Sequence, residues 1–207
     1  MKMPQHKKVL KAAAELFASE GFAAVGMRAI AKRASTSIGT IYHYFEGKRE
    51  ILDVVLREEI EARKQLLSTL RDQDRPFEEQ VQQLLLTHFA LLKESPDATK
   101  VYFQERLYAG SLFQMMLQNL HEEVIEYIEG LLREGIRAGG FVPCNTTVAA
   151  HAIVGLIEAL SRKALDGDDT AELIIEQGPK EIARLLTSWL RVVEDDKSVD
   201  REEDDTK

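Results

Sequence analysis

Residues 26–48 read Gly-Met-Arg-Ala-Ile-Ala-Lys-Arg-Ala-Ser-Thr-Ser-Ile-Gly-Thr-Ile-Tyr-His-Tyr-Phe-Glu-Gly-Lys, and no other stretch constrains the fold as strongly. Met27, Ile30, Ala31 and Ala34 fall at helical spacing. Ser35-Thr36-Ser37 then interrupts with three residues that favour turns and caps. Ser37 is placed to N-cap a second helix, its hydroxyl accepting from an early backbone N–H. In that helix Ile38, Ile41 and Phe45 share one face, which leaves Thr40, Tyr42 and His43 to point elsewhere. Gly39 has no side chain, so a DNA backbone or a thymine methyl can come close. A surface of small, hydroxylic and aromatic groups suits a helix that lies in the major groove. A plain helical hairpin in a bundle shares the generic pattern.

The upstream residues sharpen this reading. Val9, Leu10, Ala13, Leu16 and Phe17 form one apolar stripe, so residues 5–20 read as an amphipathic helix. Gly21 follows as a left-handed C-cap, with Phe22 as the apolar residue that packs back on it. Three such short helices bury little surface alone and need a larger partner. Charge is divided accordingly: residues 1–57 hold 10 Lys/Arg against 5 Asp/Glu, and residues 58–207 hold 17 against 30. The net charge of −8 would argue against nucleic acid, but only the reading head has to attract phosphate. Lys2, Lys7, Lys8 and Lys11 add flanking positive charge; a solvated face is their other reading.

The remainder reads as all helix. One long helix runs from about Gly47 to Leu70, shared between head and body. Residues 72–76 break it. Helices follow at 77–93, 98–108, 112–138 and 147–165, with Gly139-Gly140 ending the third of these and 143–146 forming a connector. Pro179 is tolerated in a first helical turn but not in mid-helix, so a short helix at 171–177 and a separate one at 179–193 are expected. Residues 194–207 are charged, mostly acidic, and expected to be disordered. The division is therefore a 1–47 helix–turn–helix head, a 48–193 helical body and a 194–207 tail. Cys144 is the sole cysteine, which excludes an intrachain disulfide and fits the reducing cytoplasm. No signal-peptide pattern and no apolar run of membrane-spanning length is present.

Two features of the body suggest functions. Ala152, Gly155, Leu156 and Ala159 place small groups on one late helix, and Ile182, Leu186 and Trp189 give the last helix a wide apolar face. Burial within a monomer would account for these, but a helix–turn–helix reader needs two copies to cover two half-sites, which favours a homodimer. The mid-section carries Phe89, Tyr102, Phe103, Tyr108, Phe113, Met115, Met116 and Tyr127. Aromatic and Met side chains either fill a core or line an adaptable cavity. His88, Gln104, Glu105, Arg106, His121, His151 and Glu158 are its available polar anchors. The spacing of His88, His121 and His151 does not support a metal site, and neither a metal nor a cofactor is expected.

Residues 9–52 resemble the DNA-binding domain of TetR-type bacterial transcriptional regulators. The resemblance rests on Ala13-Ala14-x-Leu16-Phe17, Gly21-Phe22 and Ile30-Ala31-x-x-Ala34. It continues through Ser37-x-Gly39-Thr40-Ile41-Tyr42-x-Tyr44-Phe45-x-x-Lys48-x-x-Ile51-Leu52. It implies that the helix at 38–45 enters the major groove of an operator. Ile38, Gly39, Tyr42 and His43 would then approach bases or the sugar–phosphate edge. Ser37, Thr40, Tyr42 and Lys48 would hold phosphates, with Arg28 as a further contact. His43, able to donate to guanine N7 or O6, is the best candidate for direct readout, whereas Tyr44 and Phe45 read as core. Gly26 stands where the family has a capping Thr, and Ser35 where it has a turn Gly. The resemblance further implies a four-helix dimer interface from the last two long helices. The motifs His88-Phe89-x-Leu91-Leu92, Gln104-Glu105 and Gly135-Ile136-x-x-Gly139 are similar to acyl-CoA-responsive members, ranking a fatty acyl-CoA first among apolar effectors. The mid-section itself supplies the expected ligand side chains, Phe89, Tyr102, Phe103, Arg106, Phe113, Met116, Tyr127 and His151. An enzyme is the rival reading, but no phosphate-cradling loop, nucleophile–base motif or metal-ligand spacing appears. A helical module whose 26–48 hairpin binds protein is the other.

Overall fold

A computed structural model describes residues 4–71, 77–105 and 111–191. Among these residues the chain forms nine helices and an isolated antiparallel bridge between Phe141 and Arg191. They are α1 (Gln5–Glu20), α2 (Met27–Arg33), α3 (Ile38–Tyr44), α4 (Lys48–Arg71), α5 (Phe77–Glu94), α6 (Pro96–Glu105), α7 (Ser111–Arg137), α8 (Thr146–Ala164) and α9 (Asp169–Leu190). The all-α reading and most helix bounds therefore hold. The expected break at 72–76 and the tail at 194–207 lie outside the described residues.

The head forms around the alternation seen in the sequence. Val9, Ala13 and Phe17 of α1 close on Val25, Ile30, Ile41 and Phe45, all buried. Gly21 ends α1 at φ +81°, its N–H donating to the Phe17 carbonyl, and the Phe22 ring meets Phe17 edge-on with centroids 5.3 Å apart. Ser35 occupies the turn with φ +52°. An L-residue there costs roughly 1–2 kcal/mol, the strain a turn glycine avoids.

α4 leaves the head and enters the body. Ile51, Leu52, Val55 and Leu56 pack near the head, and Ile60, Leu66, Leu67 and Leu70 continue the buried face. It packs on α1, α5, α6 and α7; α6 also lies against α1, so the head touches the body at two places. α5 packs on α9, and α7 on α8.

The last two predicted helices are one. α9 runs unbroken from Asp169 to Leu190, with Pro179 inside it. Proline forfeits one backbone hydrogen bond. Here the loss is offset by packing: Pro179 is buried, and Gly178 lies against Phe89 of α5, where an added Cβ would sit 3.7 Å from the ring. Gly135 is fixed more strictly, since a Cβ there would fall 2.1 Å from the buried Phe141 ring.

Candidate DNA-reading head and effector cavity

Ser37 caps α3 as its sequence position predicts: its Oγ accepts from the Thr40 N–H at 3.0 Å and lies 2.8 Å from Thr40 Oγ1. Ile41 is buried and turns the helix so that Ile38, Gly39, Tyr42 and His43 form one exposed arc. Arg28 is exposed on α2, with Lys32 and Arg33 in its last turn; Arg33 is paired with Glu15 at 2.5 Å. Tyr44 departs from its core reading. It is 44% exposed and lies beside the rings of His6 and His43, because helical geometry turns it away from Ile41.

Lys48 also departs from expectation. Its Nζ donates to the carbonyls of Phe22, Ala23 and Val25 at 2.7, 3.1 and 2.8 Å, and sits 4.6 Å from the Phe22 ring centroid. An ammonium has three donors, and all are used. Lys48 thus staples the α1–α2 loop to the start of α4 rather than presenting a free cation. Lys48→Met is expected to cost about 1–3 kcal/mol of stability, chiefly through the part-buried Phe22 and Val25 carbonyls it leaves unpaired. It should leave the salt dependence of DNA binding unchanged, whereas losing a phosphate contact would lower that slope by about one. Denaturant and salt titrations check the two halves.

In the body, α4, α5, α6, α7 and α8 enclose a cavity of about 90 Å³. Its wall is mostly leucine and valine from α4, α5, α7 and α8, closed by Tyr102 and Phe103, with Arg63, His88, His121 and Glu158 as polar members. Of the described residues expected around a ligand, Tyr102 and Phe103 line it, and so do His88, His121 and Glu158 from the expected polar anchors. Phe89 is buried against α9, Tyr127 donates to Gln80 Oε1 at 3.0 Å, Met116 packs at the core edge, and His151 is exposed. Helical periodicity turns these four away from the cavity. Arg106 and the Phe113 side chain lie outside the described residues, as does Tyr108. Sequence reading missed the aliphatic wall residues and, among the polar ones, Arg63. Its signal was its register, three residues after Ile60 and four before Leu67, which sets a cation on the buried stripe of α4.

His88 is neutral here. Ser161 Oγ donates to the Ile157 carbonyl at 2.7 Å, so the 2.7 Å contact between His88 Nε2 and Ser161 Oγ is a bond donated by the imidazole. Burial, reinforced by the charge of Arg63, pushes the His88 pKa down to about 3. The unfolded chain binds this proton below the ordinary value of 6.5, but the fold does not until about 3. Stability should therefore fall as pH drops through that window. His88→Gln, whose amide can still donate to Ser161, is expected to flatten part of that decline in urea titrations at successive pH values. An unchanged pH profile would contradict it.

His121 Nδ1 lies 3.3 Å from Glu158, and His151 is exposed, away from the cavity that His88 and His121 line. No group of three or more metal-ligand side chains occurs among the described residues. None of the described helices is long and apolar enough to cross a membrane.

On α8, Ala152, Gly155, Leu156 and Ala159 are exposed along one stripe that begins at Val148, which is 66% exposed. On neighbouring α9, Leu185 and Trp189 are 55% and 60% exposed. Ile182 and Leu186, expected at an interface, are instead buried inside the protomer, since they face α8 and α5 one helical step away.

A three-helix head joined by a shared helix to an all-helical, cavity-bearing body is the architecture of helix–turn–helix transcriptional regulators. Comparison with known proteins agrees. The model of bacterial regulatory proteins of the tetR family matches residues 9–55, and that of the tetracyclin repressor-like C-terminal domain matches residues 74–162. The chain belongs to the TetR family. It is 29% identical over 163 residues to the HTH-type transcriptional regulator YhgD of Bacillus subtilis, covering 77% of this chain and 84% of that one. It is 25% identical over 174 residues to the fatty acid metabolism regulator protein of B. subtilis, covering 84% and 90%. The solved structure of the B. subtilis regulator FadR in complex with stearoyl-CoA superposes with a TM-score of 0.65 at 22% identity, covering 88% of this chain and 97% of that one.

Proposed function

We propose that this regulator is a cytoplasmic homodimeric repressor that reads a pseudo-palindromic operator with α3 and is released by a largely apolar molecule, a fatty acyl-CoA foremost. The observation that carries the reading is the continuity of α4. It begins at the Lys48 staple in the reading head and supplies Arg63, Leu66 and Leu67 to the cavity wall. A ligand that displaces this wall acts directly on the helix that holds the head. The cavity volume of about 90 Å³ is below the roughly 300–1,000 Å³ usual for ligand sites, so an acyl chain must part the helices to enter. That parting is the work by which binding shifts the heads. The name of the fatty acid metabolism relative and the stearoyl-CoA complex of the FadR neighbour support this effector class.

Dimerisation through α8 and α9 is supported by the exposed stripe from Val148 to Ala159 and by Leu185 and Trp189. An added Cβ at Gly155 would meet nothing within 4 Å, so a partner helix can approach closely there. Selection from random duplexes tests the DNA half of the proposal. Enrichment of two inverted half-sites about one helical turn apart, or a multiple of it, is expected. Failure to enrich any sequence over salt-sensitive background would overturn it.

A further inference from the structure

We propose that Arg63 is the polar anchor of the cavity, and that it selects apolar molecules carrying a neutral carbonyl oxygen, such as a ketone or thioester, over those ending in a free carboxylate. This rests on the reading of the cavity as an effector site.

Arg63 is 7% exposed. Its Nη1 donates to the Glu59 carbonyl at 3.0 Å and to the Glu59 carboxylate, and its guanidinium lies 4.4 Å from the Tyr102 ring centroid. Its Nη2 is buried with no hydrogen-bond partner. Apart from His88 and the paired His121 and Glu158, the wall around Arg63 is aliphatic and aromatic. A guanidinium N–H without an acceptor in such surroundings keeps its full desolvation cost until something accepts from it. No side chain of the wall does so; a ligand oxygen, taking the place of any water there, can.

The charge balance decides which oxygen. Glu59, itself 7% exposed, already neutralises Arg63, and Thr99 Oγ1 fixes that carboxylate by donating to it at 3.2 Å. His88 contributes no positive charge at neutral pH. A ligand carboxylate would add a negative charge with no free cation to meet it, and burying an uncompensated charge is heavily penalised. A carbonyl satisfies Nη2 and adds no charge. The apolar remainder then lies along Leu66, Leu84, Leu120 and Val154.

The probes are 2-decanone and decanoate, titrated calorimetrically into the full chain well above the carboxylate range. The ketone should bind more tightly than the acid. Arg63→Met should weaken the ketone on the order of tenfold or more, the loss of one bond to a charged donor. Because Arg63→Met strands Glu59, the paired variant Glu59→Gln with Arg63→Met keeps the site neutral and folded, and should show the same loss. Decanoate binding more tightly than the ketone, or ketone affinity unchanged in the paired variant, would overturn the anchor while leaving an effector cavity. If the wild-type chain takes neither probe, the anchor and the effector-site reading fail together.

Discussion

Leu185→Glu combined with Trp189→Glu is expected to give a folded monomer that has lost specific DNA binding. Both side chains are more than half exposed in the protomer, so replacing them removes little of its own core. In a dimer packed through α8 and α9 the same positions would bury two unpaired carboxylates per subunit, a cost of several kcal/mol at each interface. A monomer reaches one half-site only. Specific binding typically exceeds non-specific binding by roughly 10³–10⁷, and most of that margin should disappear. Sedimentation should show the monomer, circular dichroism an unchanged helix content, and anisotropy the lost affinity. Leu186→Glu should behave differently, because Leu186 is 5% exposed and a charge there strikes the fold itself. A folded dimer in the double variant would place the interface elsewhere.

Gly39→Glu is expected to abolish operator binding without harming the fold. A Cβ at Gly39 would meet only Ser37 Oγ, at an ordinary 3.7 Å, and the position is exposed. Replacing a helical glycine by glutamate gains about 0.5–1 kcal/mol of helix propensity. The new carboxylate would stand on the arc that includes Ile38, Tyr42 and His43, facing the phosphates of the groove. Affinity should fall by more than a hundredfold while the melting temperature holds or rises, since like-charge juxtaposition costs several kcal/mol at an interface. His43→Ala should instead alter preference at one base pair, by about 1–3 kcal/mol.

The head was legible because its signals are local. The Ser37 cap, the burial of Ile30 and Ile41 and the exposed arc of α3 all follow from spacings within a turn or two. Lys48 was not legible, because its three carbonyl acceptors lie 23 to 26 residues away. The cavity was less legible for the same reason. Aromatic composition pointed to the right segment, yet Phe89, Tyr127 and His151 turn away from the space they were expected to line, and only tertiary packing decides that. Pro179 shows tertiary context overriding local propensity outright, its helix held by burial against α5. On α9 the apolar face is broad enough to serve both core and surface, and the sequence could not assign Leu186 to one and Leu185 to the other.

A ligand in the α4–α8 cavity and an operator on α3 are expected to act on one another through α4. The most direct measurement is the affinity of a fatty acyl thioester for the protein, free and saturated with its selected duplex, set beside the affinity of the duplex with and without the thioester. Linkage requires the two ratios to be equal, and a coupling of about 1–3 kcal/mol would make each roughly 5- to 150-fold, with the operator weakening the thioester as the thioester weakens the operator. Tight binding of both with neither affecting the other would contradict the account.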